Sequence, residues 1–264
     1  MQRITHANGV ITYSFATLGN LPVRAHVATR HGGVSPAPWN TLNFSVLRGD
    51  TPERVQQNWQ RLGDALELPA TQMVHCRQMH GTGVAKVDGE NAGEWIEETD
   101  ALITDELNLG LALLFADCVP VLLYDRLRHV LGVCHAGWRG TVNGIAASTL
   151  WAMQAAHDTN PADVLVAIGP SIGPQSYEVG QEVVDLAQMK LPNADDLFSW
   201  PNGPDHNPYF DLWRANASQL AAAGVPPSQI EIGGVDTAQS TADFFSHRAE
   251  QGRCGLFSMV AWLI

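Results

Sequence analysis

From residue 109 to residue 124 the chain is almost continuously apolar, interrupted only by Gly110 and by the adjacent Asp117 and Cys118. Such a run is expected of two buried strands joined by a tight connection, or of one long bent strand, and it commits the chain to a sheet with a covered core. Asp117 is the anomaly. Placing a charge in the middle of a stretch that otherwise reads as core is expensive unless a partner or a chemical role requires it.

Strand-like and helix-like segments alternate around this run without a visible repeat, and no stretch has the Ser, Gly, Pro or like-charge bias of a linker. Thr51-Pro52-Glu53 is a helix start, with Thr51 as N-cap and Pro52 at the first helical position. Val55, Trp59 and Leu62 then share one face of a helix that runs to about Leu66. Residues 129–134 read as the next strand, 142–156 as a helix of small residues that packs closely, and 164–168 as a short strand ended by Gly169-Pro170. Residues 182–189 and 211–223 read as helices, the second with Asp211 as N-cap and Gly224 in the stop position. Residues 229–232 and 256–264 close the pattern as strands. The expectation is a mixed α/β (α+β) fold, a single domain over residues 1–264 with a β-sheet core covered by helices.

Charge and cysteine usage narrow the function classes. The formal charge is −12, and the 15 Lys and Arg residues are scattered and not gathered into a stripe. Nucleic acid and anionic membrane surfaces are therefore not expected partners. Cys76, Cys118, Cys134 and Cys254 form no CxxC pair, and the N-terminal residues carry no apolar signal-like core. No run reaches the roughly 18 apolar residues of a membrane span. The reading is a cytoplasmic protein with free thiols.

Three short stretches carry the chemistry: Gln78-Met79-His80-Gly81, Ala116-Asp117-Cys118 and His135-Ala136-Gly137-Trp138-Arg139-Gly140. They offer one thiolate and two imidazoles from separate segments, the ligand count of a catalytic metal site with one position left open. Each residue alone has a plainer reading. His80 beside a glycine can be a satisfied structural histidine, Cys118 an inert buried thiol, and the segment after His135 a strand-to-helix turn with a surface arginine. The two glycines of that turn would also let backbone approach a ligand, while Arg139 offers a fork for an oxyanion.

At these residues the chain resembles the laccase-domain family, also called the multicopper polyphenol oxidoreductase or purine nucleoside phosphorylase family. The likeness runs nearly end to end, through Thr29-Arg30-His31-Gly32-Gly33-Val34-Ser35, Leu42-Asn43, Gly49-Asp50, the three stretches above, Thr99-Asp100-Ala101, Ile168-Gly169-Pro170-Ser171-Ile172-Gly173-Pro174, Tyr177-Glu178-Val179-Gly180 and Phe244-Phe245-Ser246. The resemblance implies that His80, Cys118 and His135 bind a catalytic zinc. It implies phosphorolysis of purine nucleosides (adenosine, inosine, guanosine, methylthioadenosine) together with deamination of adenosine. Small-molecule nucleoside and phosphate would be the partners.

A zinc held by two neutral imidazoles and a thiolate keeps a position for water, whose pKa falls to about 7, which suits attack at C6 of adenine. Deamination also requires a proton shuttle, and Glu178 or Asp117 is the expected carrier. For phosphorolysis, Arg139, Arg48 and Arg30 are the expected phosphate contacts, with Asn43 as a polar contact. The chain departs from the family pattern at Trp59, where an Arg often follows Asn58, at Thr237, where a Cys is frequent, and at His247, where a Tyr usually follows Phe-Phe-Ser.

Multicopper chemistry has its own signature, paired His-x-His segments, and none of the ten histidines stands two residues from another. A single His2Cys site could still accept copper, which outcompetes zinc for most N and S ligand sets, and a copper-loaded polyphenol oxidase is thus one alternative. A metal-free hydrolase or amidase using Cys118 as nucleophile and His135 as base is another. Gly169-Pro170-Ser171-Ile172-Gly173 also matches a G-x-S-x-G elbow, although Pro170 and Gly173-Pro174 oppose the required strand-turn-helix. A closed structural zinc site would need a fourth ligand from His75, Cys76 or Cys134.

Overall fold

The computed structural model describes residues 1–264 and divides the apolar run between two different sheets. In chain order the strands are β1 (Gln2–Thr5), β2 (Ile11–Ser14), β3 (Val23–Ala28), β4 (Met73–Cys76), β5 (Val84–Lys86), β6 (Trp95–Ile96), β7 (Ala101–Thr104) and β8 (Gly110–Phe115). They continue with β9 (Val119–Asp125), β10 (Val130–Ala136), β11 (Val164–Ile168), β12 (Phe198–Ser199), β13 (Tyr209–Phe210), β14 (Ile230–Ile232) and β15 (Phe257–Leu263). The helices are α1 (Pro52–Leu66), α2 (Trp138–Val142), α3 (Ile145–His157), α4 (Gln181–Lys190) and α5 (Leu212–Ala222). One sheet has the order β1-β2-β3-β15-β8-β4-β6, the other β14-β11-β9-β10-β7-β5, and β12-β13 form a small separate pair. This is the mixed α/β architecture expected from the sequence.

The side-chain period of two explains why the central strands are apolar throughout. Along β8, Leu111, Leu113 and Phe115 face a core shared with Leu122 and Tyr124 of β9 and Leu131 and Val133 of β10, while Ala112 and Leu114 face α1. Along β9, Val119, Val121 and Leu123 face the other way, into a core built with α3, α4 and α5. The layers therefore run α1, first sheet, second sheet, remaining helices. Both faces of each central strand are covered, so neither face can be polar. The turn between β8 and β9 carries the chain from one sheet to the other.

Most expected elements shift by only a residue at each end, and two differ in their bounds for clear physical reasons. The helix expected over 142–156 is α3, which starts three residues later at Ile145, because Gly144 adopts φ +84° and turns the chain after α2 ends at Val142. The expected start of α1 holds: Thr51 accepts from the Arg54 amide, and Val55, Trp59, Leu62 and Leu66 are its buried face. The strand at 129–134 ends two residues later, at Ala136, because it pairs with β9 as far as Val119. No helix is long and apolar enough to cross a membrane.

Candidate metal centre

Alternation along β10 sends Cys134 toward the helix layer and His135 toward the inter-sheet side, where its ring meets Phe115 at 5.6 Å. Cys118 is the last residue of the crossover, directly before β9. His80 comes from the loop after β4 and adopts φ +59°. Gln78 fixes that loop. Its side-chain amide donates to the Leu114 carbonyl and accepts from the Leu114 N–H, each at 2.8 Å, extending the β4–β8 ladder beyond the end of β4.

The ligand-capable atoms of His80, Cys118 and His135 all lie within 4.8 Å of one another. His135 is buried, Cys118 half-buried and His80 exposed, so the trio opens to solvent on the His80 side. No fourth donor joins it. His75 lies on the α1 side against Trp59 and Trp95, Cys76 lies in the inter-sheet core, and Cys134 contacts the α3 layer. A closed four-ligand site is therefore not formed. Gly137 shapes the remaining space: a Cβ at that position would stand 2.9 Å from His80 Cδ2 and 3.1 Å from Cys118 Sγ. The donor set, the open side and this glycine fit a small thiophilic cation such as zinc.

Asp100, which sequence reasoning placed only within a matched stretch, organises the trio. Its carboxylate accepts from the backbone N–H of Met79 (3.0 Å), His80 (3.0 Å) and Gly81 (2.7 Å), and stands 2.9 Å from His135 Nδ1. Because the carboxylate already accepts three donors, Nδ1–H of His135 donates to it, which leaves Nε2 as the ring's free donor atom. One buried side chain thus holds both the loop that carries His80 and the tautomer of His135. The signal was available in the sequence: Asp100 abuts the apolar Ala101-Leu102-Ile103, as Asp117 interrupts its own run.

The electrostatics follow from this packing. Burial pushes the Cys118 thiol up, but the His135 and His80 imidazoles outweigh it and bring it down to about 6. Burial pushes His135 down, but Cys118 and Asp100 together raise it to about 9. Burial also acts to raise Asp100, yet the His135 hydrogen bond and the Gly81 N–H leave it below the usual carboxylate range. At neutral pH the metal-free site is a thiolate beside an imidazolium, and a cation entering it displaces that proton.

Asp117 is buried at φ +85° with both oxygens engaged, Oδ1 by Thr237 Oγ1 at 2.7 Å and Oδ2 by the Arg248 N–H at 2.6 Å. It ties the 237–248 segment to the crossover, which accounts for a charge inside the apolar run. Its carboxylate is not among the clustered donor atoms. Glu178 is exposed, accepts from Asn207 Nδ2 at 3.1 Å, and its carbonyl accepts from Arg248 Nη1 at 3.0 Å. Tyr177, held against Arg248 at 5.2 Å, has its phenol pushed up first by burial and then by the Cys118 thiolate, with Arg248 and Arg139 opposing. Arg248 therefore borders the same space, and sequence reasoning did not single it out.

The expected phosphate contacts separate into two kinds. Arg139 is exposed on α2, its guanidinium 4.2 Å from the Trp138 ring centroid, with no carboxylate partner. Arg48 donates to His247 Nδ1 and to the Gly252 carbonyl, each at 3.1 Å. Arg30 is committed to the protein: it donates to the carbonyls of Asn40 and Thr241, pairs with Glu250 at 3.1 Å and covers the Phe245 ring. Asn43 is wholly buried and uses all its amide capacity on Ser45, Asp50 and Leu256. Of the departures from the family pattern, Thr237 holds Asp117 and His247 holds Arg48, whereas Trp59 packs between Phe44 and His75 in the α1 layer. Ser171 of the G-x-S-x-G segment is fully buried, accepts from Trp213 Nε1 at 2.6 Å and donates to the Gly169 carbonyl at 3.3 Å, so its hydroxyl has no histidine partner.

Comparison with known proteins agrees over nearly the whole length. A purine nucleoside phosphorylase YlmD of Geobacillus stearothermophilus is 39% identical over 238 residues, covering 88% of this chain and 86% of its own. A purine nucleoside phosphorylase of Bacteroides thetaiotaomicron is 35% identical over 231 residues, 84% of each chain. The crystal structure of YlmD from Geobacillus stearothermophilus superposes with a TM-score of 0.92 at 35% identity, covering 99% of this chain and 98% of that one. A Bacillus licheniformis hypothetical protein, YfiH, superposes at 0.91 with 32% identity over 99% of both. The family model described as multi-copper polyphenol oxidoreductase laccase matches residues 24–264, and the chain belongs to that family.

Proposed function

We propose that this chain is a zinc-dependent purine nucleoside phosphorylase that also deaminates adenosine, with His80, Cys118 and His135 as the metal ligands. The observation that carries the reading is the convergence of those three donors, open on one side and ordered by Asp100. Relatives that align over most of the chain bear the name purine nucleoside phosphorylase, which supports a nucleoside and phosphate as substrates. Zinc bound there supplies Lewis-acid chemistry at neutral pH, stabilising charge beside the reacting atoms and activating water. Copper would fit the same donors. The chain forms one three-residue donor cluster, fewer than a multicopper relay needs, and this favours nucleoside chemistry over phenol oxidation.

The protein's own groups divide the remaining work. Arg139 and Arg248, neither paired to a carboxylate, provide positive charge for phosphate next to Tyr177. Glu178, exposed and next in sequence to Tyr177, is the proton carrier for deamination, since Asp117 has both oxygens engaged. Steady-state kinetics test these roles. Arg139→Ala should raise the KM for phosphate while leaving deamination unaltered, and an unaltered phosphate KM removes Arg139. Glu178→Gln should lower deamination, and unchanged deamination removes Glu178.

A second reading rests on one observation. Cys118, His135 and Asp100 stand in the order nucleophile, base and orienter, with Cys118 brought down to about 6, as a metal-free thiol hydrolase would require. Activity that survives complete metal removal would select it.

A further inference from the structure

Asparagine followed by glycine is the dipeptide most open to self-modification, because glycine has no Cβ to keep its backbone nitrogen away from the asparagine side chain. The chain holds three such pairs, Asn8-Gly9, Asn143-Gly144 and Asn202-Gly203, and folding treats them differently. The reaction needs the side chain to swing until Cγ lies against the next backbone nitrogen, so any bond that holds the side chain opposes it. Asn8 is pinned at both ends: Nδ2 donates to the Arg61 carbonyl at 2.8 Å, and Oδ1 accepts from the Val10 N–H at 3.2 Å. Asn143 is pinned likewise, with Nδ2 donating to the Arg139 carbonyl at 2.8 Å and Oδ1 accepting from Lys190 Nζ at 2.5 Å. Its backbone is held too, as the C-cap of α2.

Asn202 differs. It lies exposed in the loop 200–208 between β12 and β13, with its side chain bonded to no protein group. A single backbone bond, from the Gly203 N–H to the Trp200 carbonyl at 3.1 Å, closes the turn Trp200-Pro201-Asn202-Gly203. Exposed turns at loop tips open locally at little cost, and opening frees the Gly203 nitrogen.

We propose that Asn202 is a self-modification site, converted to aspartate and isoaspartate through attack by the Gly203 nitrogen, with no enzyme required. The deprotonated Gly203 nitrogen bonds to Asn202 Cγ, the Cγ–Nδ2 bond breaks, and Nδ2 takes up a proton and leaves as ammonia. Water then opens the five-membered imide. Cleavage of the bond to Cγ leaves aspartate; cleavage of the bond to the backbone carbonyl carbon leaves isoaspartate, with the main chain rerouted through Cβ. Either product adds one negative charge to a chain already at −12. The charge enters a loop whose far end is tied to the Glu178 segment, through Asn207 Nδ2 donating to Glu178 Oε1 at 3.1 Å and the Val179 N–H donating to the Pro208 carbonyl at 2.9 Å.

Incubation of the intact protein in mildly alkaline buffer, folded and in denaturant, followed by tryptic peptide mapping, tests the proposal. Residues 4–24, 140–190 and 191–214 are separate tryptic peptides that carry Asn8, Asn143 and Asn202, so the exchange of NH2 for OH is timed at each site by fragmentation mass spectrometry. The expected result is conversion of Asn202 at least tenfold faster than Asn8 or Asn143 in the folded protein, with the three rates converging in denaturant. Asn202→Gln should remove the corresponding acidic species on anion exchange. That variant changes an exposed turn, and the comparison of folded with denatured wild type stands without it. Asn202 still an amide when the denatured sample has converted, or Asn8 or Asn143 converting as fast as Asn202 in the folded protein, overturns the proposal.

Discussion

Asp100→Asn is the most revealing single change, because it preserves shape while removing one acceptor from a fully engaged carboxylate. With the amide nitrogen at the Oδ2 position, the N–H groups of Met79 and Gly81 face a donor; at the Oδ1 position, the His80 N–H and the His135 Nδ1–H do. Either way two donors lose their acceptor, and because the loop amides are only partly buried the cost is at the low end of about 1–3 kcal/mol each, so folding stability should fall by about 2–3 kcal/mol. For a chain of this size that lowers the melting temperature by several degrees or more. The loop carrying His80 and the ring of His135 lose their orientation together, and groups in this role typically contribute 10- to 100-fold to metal affinity, about 1.4–2.7 kcal/mol. Zinc affinity is measured by competition with a chromogenic chelator at fixed pH, and stability by melting of the metal-free protein. A lowered melting temperature with unchanged zinc affinity would refute the reasoning, since Asp100 would then hold the fold without ordering the ligands.

Other changes probe separate links. Gly137 has φ −68°, which alanine tolerates, so Gly137→Ala should fold normally yet lose zinc by driving Cβ against His80 and Cys118; full zinc occupancy would contradict the cradle. In the metal-free protein Cys118 is held down to about 6, so its thiolate is present above that pH and lost as the pH falls through it. Iodoacetamide labelling should follow a midpoint near 6, and His135→Ala should move that midpoint upward; an ordinary thiol midpoint in the wild type would exclude the thiolate–imidazolium pair. Leu122 is fully buried between the sheets, and Leu122→Ala should cost about 2–5 kcal/mol in denaturant unfolding. A loss below 1 kcal/mol would contradict its place in the central core.

The parts of the fold that were legible in the sequence are those set by neighbours in the chain. Thr51 and Pro52 start α1, and Val55, Trp59 and Leu62 mark its buried face by helical spacing alone. The apolar run declared buried strands, and its one charge marked the crossover beside Cys118. Hydrophobicity could not show that β8 and β9 belong to different sheets, because both faces of both strands are covered and their alternation leaves no polar trace. The same limit applies to the site. His80, Cys118 and His135 were visible as ligand types, whereas the role of Asp100 depends on partners 19 to 35 residues away. Asn43 and Arg30 looked like surface contacts for phosphate, and only long-range packing shows their capacity turned inward to Asp50, Leu256 and Glu250.

The proposed zinc centre at His80, Cys118 and His135 makes nucleoside phosphorolysis depend on bound metal. Metal analysis of the purified wild type and Cys118→Ala, paired with phosphate-dependent cleavage of inosine and adenosine by the same samples, tests it most directly. The expected result is one zinc per wild-type chain, little or none in the variant, and cleavage only where zinc is present. Cleavage retained by Cys118→Ala, or by wild type stripped of metal, would contradict it.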